Sequence, residues 1–342
     1  MTPQTLGDRI RDAAERKLAL RFRGGGSKDF YGNAPRGDVL DTCGYTGIVD
    51  YEPSELVLTA RCGTPLADIE AALNERGQCL PFEPPHFGLA TFGGCIAAGL
   101  SGPRRASAGA LRDFVLGVKL VDGRGRVLQF GGQVMKNVAG YDVSRLVAGS
   151  LGTLGLVAEA SIKVLPRPPL EITRRLEMDQ AAALEAMTRW AGEPLPVSAT
   201  AWHAGVLHVR LSGSDAAVRG AVGRIGGAEV DFRWDAIREQ SHPFFAGERA
   251  LWRVSVPSTA PPIAGEPLIE WGGALRWMRG DPAQIREIAK RAGGHATLFR
   301  GTDKSAGAFQ PLEPVLMRLH RQLKSAFDPA GILNPGRLYA EL

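Results

Sequence analysis

Residues 93–102 read Gly-Gly-Cys-Ile-Ala-Ala-Gly-Leu-Ser-Gly, four glycines in ten positions with small side chains between them. Glycine loses more backbone freedom on folding than any other residue, so an ordinary core helix or strand is not expected to use it so freely. The stretch predicts backbone that bends sharply or that something approaches closely. A second cluster, Arg23-Gly24-Gly25-Gly26-Ser27-Lys28, lies upstream, and a third, Gly149-Ser150-Leu151-Gly152-Thr153-Leu154-Gly155, lies downstream. Three such clusters in the first half of the chain predict one large ligand held by main chain at several points. Runs of free backbone N–H groups form nests for anions, which makes a diphosphate the natural candidate.

The spacing excludes two common solutions. No cluster reads Gly-x-Gly-x-x-Gly, so a Rossmann turn is not expected. No Gly-Lys pair occurs anywhere in the chain, which removes the Walker loop. The 342 residues suffice for two domains. A net charge of +5 without any Lys/Arg run suits an anionic ligand but does not argue for nucleic acid. Cys43, Cys62, Cys79 and Cys95 form no Cys-x-x-Cys pair, so no zinc or iron–sulfur site is expected within the chain. The charged first twenty residues do not read as a secretory signal, and no apolar run approaches a membrane span. A cytoplasmic protein without direct membrane insertion is expected.

Periodicity predicts a helix over 7–18, a strand over 20–23 and strands over 39–42, 48–51 and 56–61. A helix over 65–76 is expected, with Thr64 as its cap and Pro65 in its first turn. Strands over 114–121 and 126–130 flank Asp122-Gly123-Arg124-Gly125 as a hairpin. A short helix over 142–147 and a long apolar strand over 156–165 follow. Pro166, Pro168 and Pro169 mark a boundary. Beyond it, strands near 170, 197–202, 206–212 and 229–234, with helices over 180–190 and 216–225, describe a separate α+β unit. A last helix over 311–327 carries Leu312, Leu316, Leu319 and Leu323 on one stripe, and the turn-rich tail 327–337 is expected to return to the first unit.

These residues carry a resemblance. Residues 23–27 resemble the first phosphate loop of the FAD-binding family typified by vanillyl-alcohol oxidase and p-cresol methylhydroxylase (the PCMH-type family). Thr91-Phe92-Gly93-Gly94 through Gly102, then Gly109, Arg112-Asp113 and Gly117, resemble its second phosphate segment. Residues 149–155 with Val157 and Glu159 resemble the strand segment that closes on the cofactor. The tail Phe-Asp-Pro-Ala-Gly-Ile-Leu-Asn-Pro-Gly-Arg resembles the family's terminal motif. Within the family, residues 134–142, Val-Met-Lys-Asn-Val-Ala-Gly-Tyr-Asp, and the tail are most similar to the FAD-binding subunits of bacterial glycolate oxidases.

The resemblance implies a two-domain α+β PCMH-type fold, with residues 1–168 plus 312–342 binding FAD and residues 169–311 forming a smaller cap. It implies non-covalent FAD, because Ser27 stands where flavin-linking members often place histidine. The cofactor-binding residues it implies are Arg23, Gly24, Gly25, Gly26, Ser27, Lys28, Thr91, Gly93, Gly94, Ala97, Gly99, Gly102, Arg104, Gly109, Asp113, Gly152, Gly155, Val157, Asn334 and Arg337. Lys28, Arg104 or Arg105 would add charge at the diphosphate, Val157 would lie beside the adenine, and Asn334 and Arg337 would approach the flavin. The implied activity is oxidation of glycolate, and of D-lactate, within a complex holding a sister FAD subunit and an iron–sulfur subunit, attached to the inner membrane through those partners if at all. A stand-alone 2-hydroxyacid dehydrogenase and a non-catalytic assembly subunit are the alternatives.

No catalytic residue is assigned from the sequence, and no metal. Related dehydrogenases carry His-x-Gly-Asp-Gly-Asn-x-His over the flavin. Here His203-Ala204-Gly205-Val206-Leu207-His208 is two residues shorter and lacks the aspartate and asparagine. On a strand, His203 and His208 would face opposite sides. His86, near the second glycine loop, is a candidate to approach the flavin, and Arg300 and Lys304 are candidates for the substrate side.

Overall fold

The structure is a computed structural model and describes residues 1–132 and 141–342, so residues 134–140 of the glycolate oxidase-like motif lie outside the described residues. Among the described residues the strands form two main sheets. The five-stranded sheet runs in the order Ile48–Glu52, Val57–Arg61, Leu156–Lys163, Val115–Val121, Val127–Gly131, every neighbouring pair antiparallel. Its central strand, Leu156–Lys163, is the apolar run after the third glycine cluster. The eight-stranded sheet is also antiparallel and is built from strands between Leu170 and Arg300, with Leu170–Glu177 and Val206–Gly213 near one edge and His295–Arg300 at the other.

The first core lies between the five-stranded sheet and the helices Leu66–Glu75 and Phe92–Ala98, where Leu58, Ile69, Phe92, Ile96 and Ile162 are buried. A second layer, with Leu6, Ile10, Leu20, Leu40, Ile332 and Leu333, joins the N-terminal helix to the tail. The tail does return to the first unit: Leu20 N–H donates to the Ile332 carbonyl at 2.8 Å and Asn334 N–H to the Leu20 carbonyl at 2.8 Å. A third cluster, with Tyr31, Leu100, Trp271, Trp277 and Phe299, bridges residues of the two sheets' units.

Several local expectations are corrected. The N-terminal helix is Pro3–Glu15, four residues earlier than its apolar pattern, because Thr2 and Thr5 form a reciprocal cap ahead of it. Thr64 does not cap Leu66–Glu75; its hydroxyl pairs instead with both backbone groups of Gly47. The glycine-rich stretch is not bent throughout. Residues Phe92–Ala98 form a helix capped by the Thr91 hydroxyl, and only at Gly99, in the left-handed region at φ +63°, does the chain turn away. The strand expected over 229–234 shrinks to Ala228–Glu229, and Trp234 begins a short helix. The helix Pro314–Phe327 leaves Leu316 and Leu319 of its leucine stripe about half exposed, with no core among the described residues against them.

Candidate functional site: a glycine-walled cavity

The three glycine clusters meet. A cavity of about 890 Å³ is walled by the first cluster, by the start of the Phe92–Ala98 helix, by Gly152 and Gly155 through Val157, and by Asn334 and Arg337 of the tail. Of the expected site residues, Arg23, Gly24, Gly25, Gly26, Ser27, Lys28, Thr91, Gly93, Gly94, Ala97, Gly152, Gly155, Val157, Asn334 and Arg337 line it.

The first cluster follows the strand Leu20–Arg23, which pairs in parallel with Asp38–Asp41. Beyond Arg23 the ladder ends. Among the described residues, the N–H groups of Gly25, Gly26, Ser27 and Lys28 donate to no protein acceptor. Four consecutive free donors at a cavity wall fit an anion. Gly25 is needed for packing: a Cβ there would stand 1.5 Å from the Leu89 carbonyl oxygen, which is backbone and cannot swing away. The Lys28 ammonium is half sequestered, donating to the His86 carbonyl at 3.1 Å and lying 5.8 Å from the Phe87 ring. Burial pulls its pKa below the usual lysine value, opposed by Cys95 and Glu239.

Five expected residues are not brought to the cavity wall. Gly99 ends its helix against Gly149, and Gly102 offers its carbonyl to the Trp271 indole N–H at 3.0 Å. Asp113 accepts from Ala110 N–H at 2.9 Å, with Gly109 packed beside it. Arg104 is spent on Glu171 at 2.5 Å, in a cluster that also brings the buried Arg210 to Glu83 at 2.8 Å. That cluster ties the first unit to the eight-stranded sheet and turns Arg104 toward that sheet rather than toward the cavity wall. Arg105 instead stacks on Trp271, 4.5 Å from the ring.

Asn334 and Arg337 reach the wall but spend their polar groups on main chain. The Asn334 amide accepts from Phe22 N–H at 2.8 Å and donates to the Leu151 carbonyl at 2.5 Å, clamping the first and third clusters together. The Arg337 guanidinium donates to the carbonyls of Tyr31, at 2.6 Å, and Asn33. Lys304 likewise donates to the carbonyls of Phe30 and Gly32, both at 2.6 Å. Arg300 lies on the Phe30 ring at 3.9 Å and bonds Gln240. The His86 ring pairs with Glu70 at 3.0 Å. The expectation that His203 and His208 face opposite sides is overturned: the chain turns at Ala204-Gly205, and His203 pairs with Val206 and His208 with Ala201. Both rings therefore lie on one face of the sheet, His203 against His242 and Phe244 and His208 stacked on Phe232 at 3.9 Å.

A smaller cavity, separated from the first by the Lys28–Phe87 contact, was not anticipated. Phe87 lines it beside Lys28 of the larger one, and Leu100 continues the chain from Ala98. Its polar wall comes from Ser101, Arg238, Gln240, Arg253 and Glu270, of which Arg238 is paired with Glu239 and Gln240 with Arg300. Burial raises the Glu270 pKa to about 7, against the hydrogen bond from Trp277 and the charge of Arg253, with Glu83 adding to the rise. The available signal was a single acid in the run Leu-Ile-Glu-Trp at residues 268–271, since a carboxylate among apolar strand residues is seldom buried without a role or a partner.

Comparison with known proteins agrees with this geometry. A family model described as an FAD binding domain matches residues 2–131, and one described as the C-terminal domain of FAD linked oxidases matches residues 300–338. Glycolate oxidase subunit GlcE of Escherichia coli is 49% identical over 99% of this chain and 98% of its own length. The chain belongs to the glycolate oxidase subunit GlcE family. It is an FAD-dependent oxidoreductase by that family, with the PCMH-type fold. Glycolate oxidase subunit GlcD of Bacillus subtilis is 33% identical over 47% of this chain and 34% of its own. Among solved structures, alkyldihydroxyacetonephosphate synthase superposes with a TM-score of 0.69 at 16% identity, covering 96% of this chain and 74% of that one, which speaks to the fold alone. No helix among the described residues is long and apolar enough to cross a membrane.

Proposed function

We propose that this chain is the FAD-binding subunit of a complex that oxidises glycolate, and D-lactate with it, to the 2-oxo acid. The observation that carries the reading is the row of free N–H groups from Gly25 to Lys28 facing a cavity to which the other two glycine clusters contribute. The larger cavity takes FAD non-covalently. The free N–H groups of Gly25–Lys28 hold the diphosphate; Gly93 and Gly94, whose own N–H groups go to the Cys62 carbonyl and the Thr91 hydroxyl, let it approach the helix start closely, and Val157 lies at the adenine end. Asn334 and Arg337 act by fixing the loops rather than by touching the flavin, since their polar groups are already engaged. Residues 1–168 with 312–342 are the FAD-binding domain and residues 169–311 the cap.

When bound, FAD supplies two-electron acceptance from a C–H bond. The partners in this proposal are a GlcD-like sister flavin subunit and an iron–sulfur subunit that receives the electrons, all at a cytoplasmic location. The resemblance to two different glycolate oxidase subunits supports an assembly of several chains. The test is anaerobic addition of glycolate to the purified complex and to this chain alone, followed by the flavin's visible absorption band. Bleaching in the complex is expected. A complex whose flavin is not reduced by any small 2-hydroxy acid would refute the substrate class.

A further inference from the structure

We propose that the smaller cavity is the binding site for the 2-hydroxy acid, with Arg253 holding the carboxylate and Glu270 taking the C2 hydroxyl proton. This rests on the glycolate reading above and assigns the acid's position within this chain.

Arg253 lies on a strand of the eight-stranded sheet, and its guanidinium sits 5.1 Å from the Trp271 ring. No hydrogen bond or ion pair to that guanidinium is found among the described residues, although Glu270 lines the same cavity. A guanidinium left without an acceptor at a cavity wall is matched by a carboxylate, which it can grip with two parallel bonds. Arg105, on the same indole and also without a carboxylate partner, adds positive charge close by.

Glu270 is 3% exposed. Its Oε1 accepts from the Trp277 indole N–H at 2.7 Å, which fixes the carboxyl plane. Among the described residues its second oxygen has no hydrogen-bond donor, so that oxygen is free to meet a hydroxyl. The charged and titratable groups around it are Arg253 and Glu83, with His295 and Arg105 near Arg253, and Arg238, which lines the same cavity but is paired with Glu239 at 2.8 Å. A carboxyl with a pKa of about 7 exists in both protonation states near neutrality, as a proton acceptor must. Oxidation of a 2-hydroxy acid needs a cation for its carboxylate and a base for its hydroxyl, and this cavity offers one of each. The O–H proton would pass to the free Glu270 oxygen while the C2 hydrogen leaves with its electron pair, so that the C2–O bond becomes a carbonyl; FAD held in the larger cavity would supply the two-electron acceptance. The neighbouring larger cavity, reached past Lys28 and Phe87, is where that acceptor belongs.

The experiment compares wild type, Arg253→Met, Arg253→Lys and Glu270→Gln. Each FAD-loaded chain is titrated calorimetrically with oxalate, an inert dicarboxylate, and each is also assayed for glycolate oxidation in the assembled complex. Flavin content and circular dichroism report folding. Arg253→Met should weaken oxalate binding ~10–100-fold and raise KM, with Arg253→Lys recovering part of the loss. Glu270→Gln should bind oxalate within about threefold of wild type yet lower kcat ~100-fold or more. Folded variants with wild-type oxalate affinity, KM and kcat, in a complex that oxidises glycolate, overturn the site and leave the glycolate reading intact. A wild-type complex that oxidises no 2-hydroxy acid overturns that reading instead.

Discussion

Replacing Glu270 by glutamine should stabilise the protein in a pH-dependent way. The side chain is fully buried, and burial raises its pKa from the usual 4.5 to about 7. Because the folded value lies above the unfolded one, folding is unpenalised below about pH 4.5, loses stability as pH rises, and reaches its full deficit above about pH 7. That difference in pKa corresponds to a deficit of about 3 kcal/mol at about pH 8.5 and about 1 kcal/mol at about pH 5. Glutamine cannot ionise, yet its carbonyl still accepts the Trp277 indole hydrogen bond. Any constant cost of the substitution cancels between two pH values, so the stability difference between variant and wild type should move toward the variant by ~2 kcal/mol across that interval. Urea unfolding of both proteins at about pH 5, 7 and 8.5 measures it. Parallel profiles for the two proteins would show that Glu270 does not titrate as a buried acid, and the reasoning on the smaller cavity would lose its acid–base element.

Gly25→Ala should cost ~1–3 kcal/mol of stability and abolish retention of FAD, because the added methyl collides with the Leu89 carbonyl and must displace the donor loop; equilibrium unfolding and flavin content after gel filtration report both. Lys324→Met should destabilise by ~3–5 kcal/mol, since Asp328, 2.7 Å away and buried, is left without its counter-charge; thermal unfolding measures the loss. Asn334→Ala should loosen the clamp between Phe22 and Leu151 and weaken FAD binding ~10-fold, read from fluorescence as FAD is bound.

Much of the fold was legible in local chemistry. The strand Leu20–Arg23 came out with the boundaries its alternation suggested, and the hairpin around Asp122-Gly123-Arg124-Gly125 followed from its turn residues. The convergence of the glycine clusters was legible through family resemblance and the logic of the anion nest. What failed was decided by partners distant in sequence. Glycines at 93 and 94 argued against a helix, yet Thr91 caps one there and tertiary packing outweighs propensity. Arg104 looked like a phosphate ligand, but Glu171, on a strand of the other sheet, claims it. The leucines of the last helix have the spacing of a buried stripe, yet Leu316 and Leu319 remain about half exposed, since no element among the described residues covers them. Glu270 and Arg253 are seventeen residues apart, and only the antiparallel meander through Leu275–Arg279 brings both to one cavity.

The central claim is that this chain itself holds FAD on the three glycine clusters. The most direct test is the flavin-to-protein ratio, from visible absorption and protein concentration, of the chain purified alone and saturated with FAD, beside Gly25→Ala treated in the same way. One FAD per wild-type chain, released by acid and absent from a folded Gly25→Ala, is the predicted result. A folded wild-type chain that retains no FAD, or a Gly25→Ala chain that holds it equally well, would contradict the account.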